Sequence, residues 1–437
     1  MMETVVWNEL TQDRQHQVLT RPAQAVAAAV RQKAERILED VRTRGDIAVA
    51  EWMDRLDQIQ RPTWRVDSRE LDEACRRLPA PVEAALQTAW DNIDRFHRAG
   101  KPEDYDLETS PGVRCETRYR GIRRVGLYVP GGRTPLPSSA LMTCVPARIA
   151  GCACIVICTP PAPDGSIDPA IAWVARQAAV QDVFLLGGVQ AIAAMAFGTE
   201  TVPIVDKLFG PGSSWVTEAK RLAVEMRCGL ALDLPAGPSE VLVIADENAS
   251  PRLVAADLLA QLEHGPDSQA LLVTPSRPLA DAVVRETEAG AESWSRAETI
   301  RQALAGSRCI LVDSLDQALT ISNRYAPEHL IIQTDQPEQW SQQVTSAGSV
   351  FLGSTTPEVL GDYCSGTNHV LPTSGYAAST SGLSVLDFMK RITVQQASGE
   401  GLQRLAPVVR ELANWEGLAA HARAVEIRMA RQPGASS

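Results

Sequence analysis

Six histidines occur in 437 residues: His16, His97, His264, His329, His369 and His421. Their neighbours say most about chemistry. Gln261 and His264 stand three residues apart just before Gly265-Pro266, a spacing that puts both on one face in the last turn of a helix. A His nitrogen, an amide oxygen, an Asp such as Asp362 and a second His make a reasonable zinc ligand set. Glu328-His329 follows Tyr325-Ala-Pro327 and precedes the apolar Leu330-Ile-Ile332. A carboxylate and a group that titrates near neutrality then share the mouth of a strand, able to take a hydroxyl proton or to activate water. Taken singly, each is more often an ordinary hydrogen-bonded histidine or a plain helix end, and only the combination points to a site. Asp362 in Gly361-Asp-Tyr363, His369 in Gly366-Thr-Asn-His369, and Glu416 with His421 near the end complete the titratable set. Ser239, in Pro235-Ala-Gly-Pro-Ser239, lacks a nucleophile-elbow pattern and reads as a hydrogen-bonding residue. His16 and His97 lie in helical patterns without a motif and read as surface or packing residues.

These side chains need elements to hold them. Residues 23–54 and 68–98 carry long helical patterns rich in Ala, Arg, Glu and Leu, so the N-terminal 105 residues read as a helical region. From Gly121 the texture becomes strand, turn, helix. Strands are expected at 123–129, 154–158 and 183–186, and helices at 138–150, 168–179, after Gly187-Gly188, and at 216–225. The alternation repeats with strands at 240–245, 270–274, 309–312, 330–333 and 349–352, and helices at 251–264, 279–288 and 315–325. Alternation of this kind implies βαβ units and parallel sheets, here in two successive α/β modules. Residues 353–382 turn to Gly, Ser, Thr and Pro, and helices close the chain from 401 to about 429. In open α/β sheets ligands bind at the carboxyl ends of strands, beside Gly-rich turns and helix N-termini. Three such turns occur, at 128–132, 185–190 and 209–215, none with the G-x-G-x-x-G spacing, so a nucleotide is plausible from their placement and packing turns remain the alternative.

Composition excludes several classes. Apolar residues are 45% and charged residues 22%, ordinary for a globular chain. The 53 acidic against 42 basic residues give a net charge of −11, which with scattered arginines speaks against a nucleic-acid partner. No run approaches the ~20 apolar residues that cross a bilayer, and the polar Met1-Met2-Glu3-Thr4 start has no apolar leader. Nine cysteines, an odd number, fit reduced thiols in a cytoplasmic setting. Cys152, Cys154 and Cys158 alternate with apolar residues without zinc spacing, and read as packing in a buried strand.

Longer strings carry a resemblance. GLYVPGG at 126–132, GGVQAIAAMAFGTE at 187–200, DLPAGPSEVLVIAD at 233–246, EHGPDSQ at 263–269, RYAPEHL at 324–330, GDYCSGTNHVLPT at 361–373 and EGLAAHARAVEIR at 416–428 together resemble the L-histidinol dehydrogenases, from about residue 30 to 430. The resemblance implies two Rossmann-like α/β modules in an aldehyde-dehydrogenase-like architecture, with a helical N-terminal region and a helical C-terminal arm. It divides the chain into a helical region at 1–105, a first α/β domain on the NAD side at 106–238, a second with zinc and the catalytic residues at 239–380, and a C-terminal segment at 381–437 exchanged in a homodimer. It implies NAD-dependent oxidation of L-histidinol to L-histidine through histidinaldehyde, the last step of histidine biosynthesis. By the same resemblance zinc ligands fall on Gln261, His264, Asp362 and, from the partner subunit, His421. The catalytic pair falls on Glu328 and His329. Substrate contacts fall on Ser239, His329, Glu416 and the metal ligands, and NAD contacts on Tyr128, Gln190 and Ser213. Ser213 stands where the family commonly has Asn, and Trp215 where Tyr or Phe is usual.

Other readings stay open at this stage. A paralogous zinc and NAD alcohol dehydrogenase could act on another small polar alcohol, a zinc hydrolase could use Glu328 on water without a nucleotide, and a non-catalytic protein could use the metal for stability alone.

Overall fold

The computed structural model describes residues 2–22, 28–59, 61, 63–132, 134–234, 237–292, 294 and 296–430. Fourteen strands lie among them, in chain order β1 (Glu3–Val6), β2 (Tyr105–Ser110), β3 (Val113–Gly121), β4 (Arg124–Tyr128), β5 (Cys154–Cys158), β6 (Asp182–Phe184), β7 (Lys207–Phe209), β8 (Ala231–Leu232), β9 (Glu240–Ala245), β10 (Gln269–Thr274), β11 (Arg308–Leu311), β12 (His329–Gln333), β13 (Ser349–Leu352) and β14 (Met389–Ala397). Contacts divide the chain into two compact units, residues 1–100 with 122–388, and residues 101–121 with 389–437.

The first unit holds both α/β modules. A five-stranded sheet runs β6-β5-β4-β7-β8 and a six-stranded one β1-β11-β10-β9-β12-β13, with all neighbouring strands parallel. All six residues of β9 are buried, because helices cover both faces of such a sheet and the central strands become continuous apolar runs. Their alternation still shows in the packing. Val241, Val243 and Ala245 join one core with the helix Pro251–Leu262, while Leu242 and Ile244 join another with the helix Leu315–Tyr325. The expected two-module α/β class is the observed one.

Several local expectations shift. The helical pattern of 23–54 starts outside the described residues over 23–27, and it is two helices, Ala28–Arg44 and Asp46–Asp57, parted at Gly45 with φ +56°. The pattern of 68–98 likewise divides into Ser68–Arg76 and Ala80–Ala99 around Pro79, which opens the second helix. β1 lies in the N-terminal region read as helical, and pairs with β11 at the edge of the six-stranded sheet. The irregular stretch after Gly353 contains a short helix, Val359–Tyr363.

The second unit is built differently. β14 and β2 flank β3 in an antiparallel sheet, followed by the helices Gly399–Trp415 and Ala419–Ala430. Residues 106–121, grouped by sequence with the first α/β domain, thus pair with a strand of the C-terminal segment. Of that segment, 431–437 lie outside the described residues. Among the described residues no helix is long and apolar enough to cross a membrane, and all nine cysteines are free.

Candidate active site

A cleft of about 770 Å³ lies in the first unit, lined among others by Ser139, Gly210, Ser239, His264, His329 and Asp362. The two modules face it with opposite ends. The first contributes Thr134–Ser139, Gly210-Pro211 and Asp233-Leu234, which follow the carboxyl ends of β4, β7 and β8. From the second come Ser239, just before β9, and Glu328-His329, at the start of β12. The rule of carboxyl ends therefore holds for the first module and fails for the second, whose amino ends line the cleft. This reversal has an electrostatic consequence. At the amino ends of parallel strands the preceding helices terminate, and helix C-termini carry partial negative charge that favours cations. The helix Pro251–Leu262 ends there, two residues sooner than its sequence pattern, with Glu263 as its cap and the His264 N–H returning to the Gln261 carbonyl at 3.3 Å.

His329 is held by the backbone. Its Nδ1 lies 3.2 Å from the Glu240 carbonyl oxygen, which can only accept, so Nδ1 carries the proton and Nε2 presents a lone pair. Nε2 faces two carboxylates, Glu358 Oε1 at 3.7 Å and Asp362 Oδ1 at 3.9 Å. Burial pushes His329 down to about 4, so it stands neutral and ready to accept a proton. The Glu240 N–H also donates to Glu328 Oε2 at 2.8 Å. One residue's main chain thus orients both members of the expected catalytic pair. Burial raises Glu328 well above the usual carboxylate range, against the opposing pull of that hydrogen bond.

Glu240 is anchored in turn. Its carboxylate takes Arg21 Nε and Nη2 at 2.5 and 3.0 Å and the Tyr325 hydroxyl at 2.9 Å. Tyr325 also reaches Gln269 Oε1 at 2.6 Å, and the Arg21 guanidinium lies 3.8 Å over the Tyr325 ring.

One ligand atom from each of His264, Glu358 and Asp362 lies within 4.8 Å of the other two. Gln261 is fully buried, and neither of its amide atoms has a hydrogen-bond partner among the described residues. A buried amide without partners is costly unless a ligand completes it, and an imidazole, two carboxylates and an amide suit a divalent cation. Burial, then the nearby Asp362, push Glu358 up to about 9. His369, expected near Asp362, is there: its Nδ1 lies 2.8 Å from the Asp362 carbonyl oxygen and its Nε2 3.4 Å from Ser139 Oγ.

The remaining expected residues are distributed. Glu416 and His421 belong to the second unit, at the exposed C-cap of one helix and in the first turn of the next. Ser213 lines a second cleft of about 360 Å³ with Gly212, Thr217, Ser239 and His264. Tyr128, the last residue of β4, and Gln190, in the first turn of the helix Gly188–Phe197, are buried instead, neither lining these two clefts. The Tyr128 oxygen accepts from the Gly188 N–H at 3.2 Å, and Gln190 donates to Asp57 at 3.0 Å. His97 is a packing residue, 2% exposed, its Nε2 without a hydrogen-bond partner among the described residues.

Sequence reasoning did not single out Glu358, Glu240 or Arg21. Glu358 had a signal, standing four residues before Asp362 across one helical turn. Arg21 had none.

Two parallel α/β modules around a cleft with a buried histidine, a buried carboxyl group and side chains that could hold a cation are the architecture of an α/β enzyme. The family model for histidinol dehydrogenase matches residues 19–429. The histidinol dehydrogenase of Xanthomonas campestris pv. campestris is 53% identical over 98% of this chain and 99% of its own. That of Vibrio parahaemolyticus is 50% identical over 98% of each. The crystal structure of histidinol dehydrogenase from Elizabethkingia anophelis superposes with a TM-score of 0.94 at 41% identity, covering 98% of both chains. The chain belongs to the histidinol dehydrogenase family and is an oxidoreductase.

Proposed function

We propose that this chain catalyses the NAD-dependent, zinc-requiring four-electron oxidation of L-histidinol to L-histidine via L-histidinaldehyde, the last step of histidine biosynthesis. It would act in the cytoplasm as a homodimer with shared active sites. The observation that carries the reading is the proximity of His329 Nε2 to Asp362 and Glu358, because it places a neutral base beside the cation cluster in a chain of this family. Gln261, His264 and Asp362 would hold the zinc, with His421 of the partner subunit, reached through exchange of the 381–437 segment.

When bound, zinc orients the amine- and imidazole-bearing substrate and NAD supplies the hydride acceptor, once for each oxidation. His329 Nε2 takes the hydroxyl proton in the first oxidation, its ring held by the Glu240 carbonyl. Glu328 takes a proton from the water that hydrates the aldehyde, and His329 serves again as base in the second oxidation. Ser239 hydrogen-bonds the substrate, and Glu416 receives its amine or imidazole N–H. On the cofactor side Ser213 caps the helix Ser214–Met226 without a side-chain hydrogen bond to it, and Gly187 opens the helix Gly188–Phe197 in the same way. The first turn of Ser214–Met226, in the cleft beside Ser213, would offer its N–H groups to phosphate oxygens, with Tyr128 and Gln190 as the other proposed contacts.

The test is the initial rate of NADH formation from L-histidinol before and after zinc removal. Two NADH per histidine, abolished by chelation and restored by zinc, is the expected result. Turnover without NAD would replace the reading by a hydrolase, and NADH only with another small polar alcohol by a paralogous dehydrogenase. Mixing His421→Asn with Gln261→Ala subunits should restore activity in heterodimers if the sites are shared.

A further inference from the structure

The carboxylate of Glu358 is the buried group that the mechanism above leaves unused. It is 1% exposed, and neither carboxylate oxygen has a hydrogen-bond partner among the described residues. A buried carboxyl group in that state is costly unless a proton or a cation completes it. The surroundings say where the cation would sit. Glu358 precedes the first turn of the helix Val359–Tyr363, its carbonyl accepting from the Gly361 N–H at 2.8 Å. Its side chain converges on His264 and Asp362, with ligand atoms within 4.8 Å of one another. His329 Nε2 lies 3.7 Å away, beyond hydrogen-bond reach.

We infer that Glu358 is a working member of the cation site, a second carboxylate that binds the same divalent ion as His264 and Asp362. The charges then balance within one chain. Asp362 and Glu358 contribute two negative charges against the two positive charges of the ion, while Gln261 and His264 bind as neutral ligands. The ion's electrostatic hold therefore resides in this chain, and a histidine from a partner subunit would adjust coordination without changing net charge. The inference rests on the reading of the site as a zinc site.

The experiment compares the wild type with Glu358→Gln and Glu358→Asp, as full-length apo-protein without substrate. Zinc affinity is measured by competition with a chromophoric chelator, and cobalt(II) absorption reports the ion's coordination. Glu358→Gln, nearly isosteric, should bind zinc ~10–100-fold more weakly and shift the cobalt spectrum, with Glu358→Asp between it and the wild type. Far-ultraviolet circular dichroism of the apo-proteins checks that both variants fold, and if Glu358→Gln does not, the zinc affinity and cobalt spectrum of Glu358→Asp decide the matter. Unchanged zinc affinity and cobalt spectrum in a folded variant, even with turnover lost, would overturn the inference and give Glu358 to His329 alone. A wild type that binds no zinc would instead overturn the metal reading.

Discussion

Arg21 gives the sharpest stability test, because it neutralises the buried carboxylate of Glu240, whose main chain holds Glu328 and His329. Its guanidinium holds both oxygens of Glu240, at 2.5 and 3.0 Å, and the Tyr325 carbonyl oxygen at 2.8 Å. The side chains are 22% and 3% exposed. Arg21→Met keeps much of the aliphatic stem and removes the charge, leaving Glu240 buried with the Tyr325 hydroxyl. Breaking a buried pair from one side costs ~3–5 kcal/mol. Arg21 is partly open to water, so the lower end, ~3 kcal/mol, is the expected loss. The double variant Arg21→Met, Glu240→Gln removes the stranded charge and should lose only ~1–2 kcal/mol, the scale of ordinary hydrogen bonds. The more heavily mutated protein should thus be the more stable. Urea unfolding followed by tryptophan fluorescence measures the wild type, the single variants Arg21→Met and Glu240→Gln, and the double variant. Arg21→Met should also lower kcat more than it raises KM, since the Glu240 main chain holds Glu328 Oε2 and His329 Nδ1. Strictly additive losses, or equal stability of the single and double variants, would refute the claim that an uncompensated carboxylate carries the cost.

Three further outcomes can be checked. Glu328→Gln keeps an oxygen for the Glu240 N–H but loses the base, so oxidation of histidinaldehyde should slow ~10²–10⁴-fold and that of histidinol far less. Because burial raises Glu328, its ionised fraction grows with pH. The wild-type aldehyde rate should climb with pH while the variant's stays flat, and equal slowing of both halves would count against water activation. For His97, burial lowers the group to about 4 against about 6.5 unfolded, so the unfolded chain binds the extra proton. Stability is then full above pH 6.5 and falls as pH drops toward 4, by up to ~3 kcal/mol, and urea midpoints of His97→Leu should lack that slope. Gly210 has φ +111°, and a Cβ there would overlap the Tyr128 carbonyl oxygen. Gly210→Ala should cost ~1–3 kcal/mol, and an unchanged melting temperature would show that the loop yields.

Legibility from sequence followed burial. β5, β9, β13 and the helix Leu315–Tyr325 have the bounds expected of them, because β5 and β9 read as uninterrupted apolar runs, the half-exposed edge strand β13 as a short apolar run stopped by Gly353, and the helix keeps one apolar stripe. The antiparallel sheet was invisible: β3 reads Val-Arg-Cys-Glu-Thr-Arg-Tyr-Arg-Gly, and β14 has no buried residue, so neither offers a clear apolar alternation. The reversed orientation of the second module could not be read from local patterns, which place strands but not the end of a sheet that faces a cleft. In the site, Gln261-x-x-His264 and Glu328-His329 were legible because each pair is local. Arg21 and Glu240 are 219 residues apart, and no local pattern links them.

The parallel pairing of β1 with β11 matches Glu3 to Arg308 and Val6 to Leu311. A strand emerging early from the ribosome therefore waits for about 300 more residues before its partner exists, roughly 15–60 s at ~5–20 residues per second. Arg21 waits about as long for Tyr325, 304 residues further on. During synthesis the six-stranded sheet lacks one edge, and the segment that will cover it is already exposed as an unpaired strand. A nascent-chain binder holding that segment would raise the yield of folded enzyme without touching its final stability.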